Sequence, residues 1–118
     1  QLYQEKLQYM IREISLMQLL VCWLAQTKMN QRLHHSQISL AKQNNVEKAL
    51  QIARLSREML GANGIIGEYP VMRHLCNLET VYTYEGTNNI HKLVVGEKLT
   101  GLSAFRVGVD QPSPGVKD

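Results

Sequence analysis

The chain has 118 residues, 44% of them hydrophobic and 19% charged, with a formal net charge of +3. That length allows one domain with a single core, and so small and dispersed a charge excludes the basic footprint of a nucleic-acid binder. The densest apolar run, Leu16 to Ala25, is broken by Gln18 and is too short to span a membrane, while Cys22 and Cys76 stand far apart in apolar surroundings that predict two buried free thiols rather than a metal pair.

The opening residues Gln1 to Leu7 fall in the middle of a helical pattern with no cap before them. The chain is therefore expected to be the C-terminal part of a longer protein. Leu2, Leu7, Met10, Ile11, Ile14, Met17, Leu20, Val21 and Leu24 follow a three/four spacing that predicts a first helix to about Met29. Apolar character widens around Trp23, which is expected in the core. Asn30 to His35 reads as the connector. His34 and His35 are adjacent, so on a helix they would not face one way, and they make no metal pair.

Ser36 is the expected cap of a second helix from about Gln37 to Leu60, striped by Ile38, Ala41, Ala49, Ile52, Ala53, Leu55 and Met59. Asn44 and Asn45, poor helix formers in its middle, either kink it or reach polar partners. Gly61 fits the left-handed position that closes a helix, and Gly64 supplies a second turn. This glycine cluster follows a helix rather than a strand, so it is no dinucleotide fingerprint. A third, shorter helix is expected from Glu68-Tyr69-Pro70, with Val71, Leu75 and Leu78 as its stripe and Pro70 in its first turn. Arg73 and His74 on it read as solvated or structural.

Tyr82, Thr83 and Tyr84 favour extended backbone, and they lead into Glu85-Gly86-Thr87. Gly86 permits a sharp turn and a close approach, and Thr87 or Asn88 can cap a last helix running to about Leu99, closed by Thr100-Gly101. Glu85 thus sits just before a helix N-terminus, where the dipole favours its charge and burial against a ligand would favour its neutral form. A carboxylate so placed can serve as a general base. The plain alternative is an ordinary loop acid. The pattern as a whole is all-α, two long helices and two shorter ones, arranged as an up-down bundle of four-helix type. Residues 106–118 carry glycines and prolines without periodicity and are expected to form a mobile tail, leaving 1–105 as the domain.

The run Tyr84-Glu85-Gly86-Thr87, then Ile90-His91, Gly96, Thr100-Gly101 and Ala104-Phe105, resembles the C-terminal end of the flavin-dependent acyl-CoA dehydrogenase superfamily. The Glu-Gly-Thr core is shared across that superfamily. The Ile-His and Thr-Gly-x-x-Ala-Phe pattern resembles its glutaryl-CoA dehydrogenase branch. The resemblance extends from Gln1 to about Phe105 and implies the C-terminal helical-bundle domain, with one bundle helix lost upstream of Gln1.

The resemblance also implies roles. Glu85 matches the catalytic base and Gly86 the glycine that approaches the acyl thioester. Thr87, Asn88, Asn89, Phe105 and Gln1 match residues near the flavin of FAD. Glu58, Met59, Leu60, Gly61 and Ala62 match the segment against its adenine-diphosphate half, in a cofactor held mainly by a neighbouring subunit. Many members carry glutamine where this chain has Glu58; glutamate cannot donate to phosphate oxygens, so backbone N–H groups would have to serve there. The implied activity is oxidation of an acyl-CoA substrate, in the glutaryl branch with decarboxylation to crotonyl-CoA. Electrons would pass to electron-transferring flavoprotein, in a homotetramer that is cytoplasmic in bacteria or archaea and in the mitochondrial matrix in eukaryotes. The rivals are an acyl-CoA oxidase of the same fold and a non-catalytic helical assembly domain.

Overall fold

A computed structural model of the chain describes residues 1–105; the expected tail, 106–118, lies outside the described residues. Four α-helices follow one another: α1 Leu2–Met29, α2 His35–Met59, α3 Val71–Thr83 and α4 Asn88–Thr100. A short 3-10 helix, Gly61–Ile65, joins α2 to α3. Among the described residues there is no strand, in keeping with the all-α expectation.

α2 is the axis of the molecule. Its Ala41, Val46, Leu50 and Ala53 make up most of the fully buried apolar set, joined by Met10 of α1. α1 runs antiparallel to it, as the short connector requires. The Tyr3 hydroxyl donates to the Met59 carbonyl at 3.0 Å, Lys6 pairs with Glu58 at 2.6 Å, and Lys48 pairs with Glu13 at 3.5 Å. α3 and α4 then both run back along α2 in the same direction, one after the other. Arg54 meets Glu79 of α3 at 2.8 Å, Glu47 meets Asn88 at the start of α4, and Lys98 near the end of α4 lies close enough to His34 to act on its titration. The break between α3 and α4 therefore falls beside the middle of α2, and the break is the Glu85 turn.

Several local expectations change. α2 starts at His35 and is capped by His34, not Ser36. The His34 Nδ1 accepts from the Ser36 N–H at 3.2 Å, and the Gln37 side chain accepts from the His34 N–H at 2.8 Å, which closes a reciprocal capping box. Ser36 is itself buried. The helix passes Asn44 and Asn45 unbroken, and the Asn45 amide donates to the Met17 carbonyl at 3.4 Å, so the polar-partner alternative holds. α3 starts at Val71 with Pro70 as its cap, not at Glu68, and it continues through Tyr82 and Thr83. Packing against α2 outweighs the β-preference of those two residues. Cys22 and Cys76 are exposed, and Trp23 is 44% exposed. All three lie on faces that no other element among the described residues covers.

The cap carries a pH dependence. Burial, then the charges of His35 and Lys98, hold His34 below the ordinary imidazole value of 6.5. A protonated His34 could no longer accept from Ser36 at Nδ1. A lowered histidine pKa means the unfolded chain takes up protons first, so this contribution to stability is complete above 6.5 and fades as pH falls below it. Thermal unfolding measured between about pH 7.5 and 5.5 is expected to show a falling midpoint, and His34→Asn, which keeps a capping acceptor but does not titrate, should flatten that component. A slope identical in His34→Asn and the parent would place the effect elsewhere.

Candidate functional site

α3 ends at Thr83, and Tyr84 leaves it with extended backbone (φ −86°, ψ 167°). Glu85 and Gly86 then take two successive positive φ values, 54° and 92°. For Gly86 this conformation is ordinary. For Glu85 the left-handed conformation costs roughly 1–2 kcal/mol, because Cβ crowds the following carbonyl. A strained glutamate held between two helices needs support from its surroundings. Thr87 follows as the α4 cap, its hydroxyl oxygen accepting from the Ile90 N–H at 3.3 Å.

The supports come from three directions. From α2, the Lys42 ammonium donates to the Tyr84 carbonyl at 2.9 Å and to the Gly86 carbonyl at 2.6 Å, one on each side of Glu85. From α4, the His91 ring lies against Gly86 so closely that a Cβ there would sit 2.9 Å from Nε2. Below the turn Asn88, only 1% exposed, donates to the Tyr82 hydroxyl at 3.2 Å and reaches Glu47 of α2 at 3.4 Å. Its Oδ1 is buried with no protein partner, as are both ring nitrogens of His91.

The result is a rigid turn that presents Glu85 outward. Glu85 is exposed, and among the described residues its carboxylate takes part in no hydrogen bond or ion pair. It is chemically available in a way Glu13 and Glu58 are not. Glu13 is 7% exposed and held below the usual carboxylate range by the Arg12 hydrogen bond, against the opposing pull of burial. Glu58 is held low by its hydrogen bond to Lys6.

The remaining predicted site residues lie in three places. Thr87 and Asn89 are exposed beside Glu85. The N–H groups of Asn88 and Asn89 lie in the first turn of α4 and have no intrahelical acceptor. The Asn88 side chain, by contrast, points into the protein. Glu58, Met59, Leu60, Gly61 and Ala62 lie at the far end of α2, sixteen residues past Lys42, or about 24 Å at 1.5 Å per residue. Gln1 is at that same end, since Tyr3 reaches Met59 and Lys6 reaches Glu58. Phe105 lies beyond the end of α4 and is exposed. Within one chain, then, the two predicted cofactor segments are not brought together.

Two grooves open elsewhere on the bundle. One of about 520 Å³ lies along Tyr9, Gln51, Arg54 and Glu58. The other, about 290 Å³ and more apolar, runs between Ile14, Met17, Ile52, Val71, His74 and Leu78. Neither includes Glu85. No helix among the described residues is long and apolar enough to cross a membrane, and no cluster of three or more His, Cys, Asp or Glu among them could hold a metal ion. What sequence inspection missed was Lys42 and Tyr82. Lys42 reads as an unremarkable helix residue and Tyr82 as an extended one until the register of α3 and α4 on α2 is known.

Comparison with known proteins agrees with this architecture. Residues 1–100 match the family model described as the acyl-CoA dehydrogenase C-terminal domain. A crystal structure of glutaryl-CoA dehydrogenase from Mycobacterium smegmatis superposes with a TM-score of 0.86 at 52% identity, covering 90% of this chain and 27% of that one. A second structure from the same organism, in complex with FADH2, gives 0.86 at 48% identity over 90% of this chain and 28% of that one. The glutaryl-CoA dehydrogenase of Desulfococcus multivorans is 31% identical over 103 residues, 86% of this chain and 26% of its own length. The chain thus spans about a quarter of the length of these relatives. It belongs to the acyl-CoA dehydrogenase family, and its four helices form that family's C-terminal domain.

Proposed function

We propose that this domain carries the catalytic base of an FAD-dependent acyl-CoA dehydrogenase that acts on glutaryl-CoA, and that Glu85 is that base. The observation that carries the proposal is the turn itself: an unpaired carboxylate on a strained, clamped loop at the head of a helix. A carbon acid beside a thioester is weakly acidic, so its base must be close and fixed. Glu85 would take the proton from the carbon next to the thioester carbonyl. Gly86, with no side chain, would let the acyl thioester approach the backbone.

The residues present fit the cofactor. Thr87 uses its oxygen to cap Ile90 and keeps its own O–H free to donate. The first-turn amides of α4 and the exposed Asn89 offer further donors, and any contact from Asn88 would come from its backbone. FAD, when bound, would supply the acceptor for the hydride that leaves the neighbouring carbon. The roughly 24 Å of α2 between Lys42, beside the Glu85 turn, and Glu58 suits a division of labour in which the Glu58–Ala62 loop serves the cofactor of another copy. With Glu58 paired to Lys6, backbone N–H groups would do that work.

A homotetramer is part of the same proposal. α1 leaves Leu7, Ile11 and Ile14, spaced i, i+4 and i+7 on one helix face, between 36% and 62% exposed, a run of apolar surface that a lone bundle would not keep. Electron-transferring flavoprotein is the proposed acceptor, and decarboxylation to crotonyl-CoA the proposed outcome in the glutaryl branch. The test uses the full-length flavoprotein without oxygen. Glutaryl-CoA should bleach the flavin and yield crotonyl-CoA by mass. Bleaching with a glutaconyl thioester as product would keep the dehydrogenase and reject decarboxylation; no bleaching would reject the substrate.

A further inference from the structure

Lys42 has had no part in the reaction so far, yet its geometry is specific. It stands on α2, more than forty residues from the turn in sequence, and its ammonium meets the two carbonyls that bracket Glu85, at 2.9 Å and 2.6 Å. Two successive positive φ values bring the Tyr84 and Gly86 carbonyls to bear on one nitrogen. Two carbonyl oxygens gathered at one point need a donor there, and a cationic donor makes the stronger bonds. Lysine suits the place because its compact ammonium carries three donors that can serve two acceptors at once. On α4, the His91 ring bears on Gly86 by packing alone, since neither ring nitrogen has a protein partner. The turn is therefore held between an ion on one element and an aromatic ring on another. Glu85 is the residue whose backbone strain that clamp sustains.

We infer that Lys42 is the positioning residue for the base: by holding the carbonyls before and after Glu85 it fixes where the carboxylate is presented to the substrate. This rests on the assignment of Glu85 as the base. Lys42 itself needs no contact with substrate or cofactor. Its loss would let the turn leave the left-handed conformation, and the carboxylate would lose its near-attack position while those walls of the thioester pocket that lie outside the turn stayed in place.

The experiment compares Lys42→Met, Lys42→Arg and Glu85→Gln in the full-length flavoprotein. Lys42→Met is expected to lose about 10²-fold in kcat, with KM changed by less than about threefold and flavin content intact. Backbone amide exchange should quicken at residues 85 to 90 and stay slow along α2, the mark of a local loosening rather than a weakened fold. Lys42→Arg, which keeps charge and donors, should recover at least about tenfold of the lost kcat and slow the exchange again. If Glu85→Gln is inactive while Lys42→Met keeps its parent's kcat or its parent's exchange at the turn, this inference alone is overturned. An active Glu85→Gln would remove Glu85 from its role, and the inference with it. Should Lys42→Met not fold, Lys42→Arg decides. Parental exchange at the turn with kcat within about tenfold of the parent supports the clamp, and parental exchange with a larger loss overturns it.

Discussion

Glu85→Gln in the full-length flavoprotein is expected to lower turnover by about 10²–10⁴-fold while the cofactor remains bound. Glutamine keeps the shape of glutamate and can donate and accept hydrogen bonds, but it cannot take a proton at neutral pH. Nothing else is disturbed, because the Glu85 side chain is exposed and the turn is held through the backbone carbonyls of Tyr84 and Gly86. The substitution therefore isolates proton abstraction from folding and from flavin binding. Steady-state kinetics with glutaryl-CoA and the flavin spectrum of the purified variant check it together. Turnover within threefold or so of the parent would be too small a loss for a general base. A colourless protein would mean that Glu85 serves cofactor retention instead.

Helix content, order and ends were legible in the sequence where the signals are local. The three/four spacing from Leu2 to Leu24 ends close to where α1 ends. Gly61 and Gly101 take the positive φ values, 57° and 73°, that their places after helices require. Thr87 caps α4 by its own hydroxyl. The Glu85-Gly86 turn was readable for the same reason, since glycine and a following cap are contained in four residues.

What was not legible depends on register between distant elements. Nothing near Lys42 in the chain reveals that α3 and α4 abut beside it, so its reach to Tyr84 and Gly86 is a tertiary fact. Tyr82 reads as β-prone, yet its hydroxyl is drawn to Asn88 and the helix carries on through it. His34 reads as a connector residue because histidine is an uncommon cap, and it is identified only by the bonds in space, its Nδ1 accepting from the Ser36 N–H and its own N–H donating to the Gln37 side chain. The apolar setting of Cys22, Cys76 and Trp23 suggests burial. It belongs instead to faces of α1 and α3 that the described bundle leaves uncovered.

The largest effect on stability is expected at Gly64. This residue is buried where the 3-10 helix turns back on the end of α2, and a Cβ there would lie 2.2 Å from the Arg57 carbonyl oxygen and 3.0 Å from its carbon. The obstacle is helix backbone, which cannot swing aside as a side chain can. Gly64→Ala must push Gly61–Ile65 off α2 or distort the last turn of α2, at a cost on the order of 3 kcal/mol. Gly67 is the internal control: a Cβ there meets nothing within 4 Å, so Gly67→Ala should stay within about 0.5 kcal/mol of the parent. Denaturant unfolding of the two variants side by side gives the comparison, and equal stabilities would refute the clash. Gly64→Ala also probes the neighbouring loop. If the Glu58–Ala62 backbone grips the adenine-diphosphate half of FAD, as proposed, displacing it should release flavin under conditions where the protein stays folded. Flavin retained in a folded Gly64→Ala enzyme would confine the cofactor to the Glu85 turn and leave the far end of α2 a structural element alone.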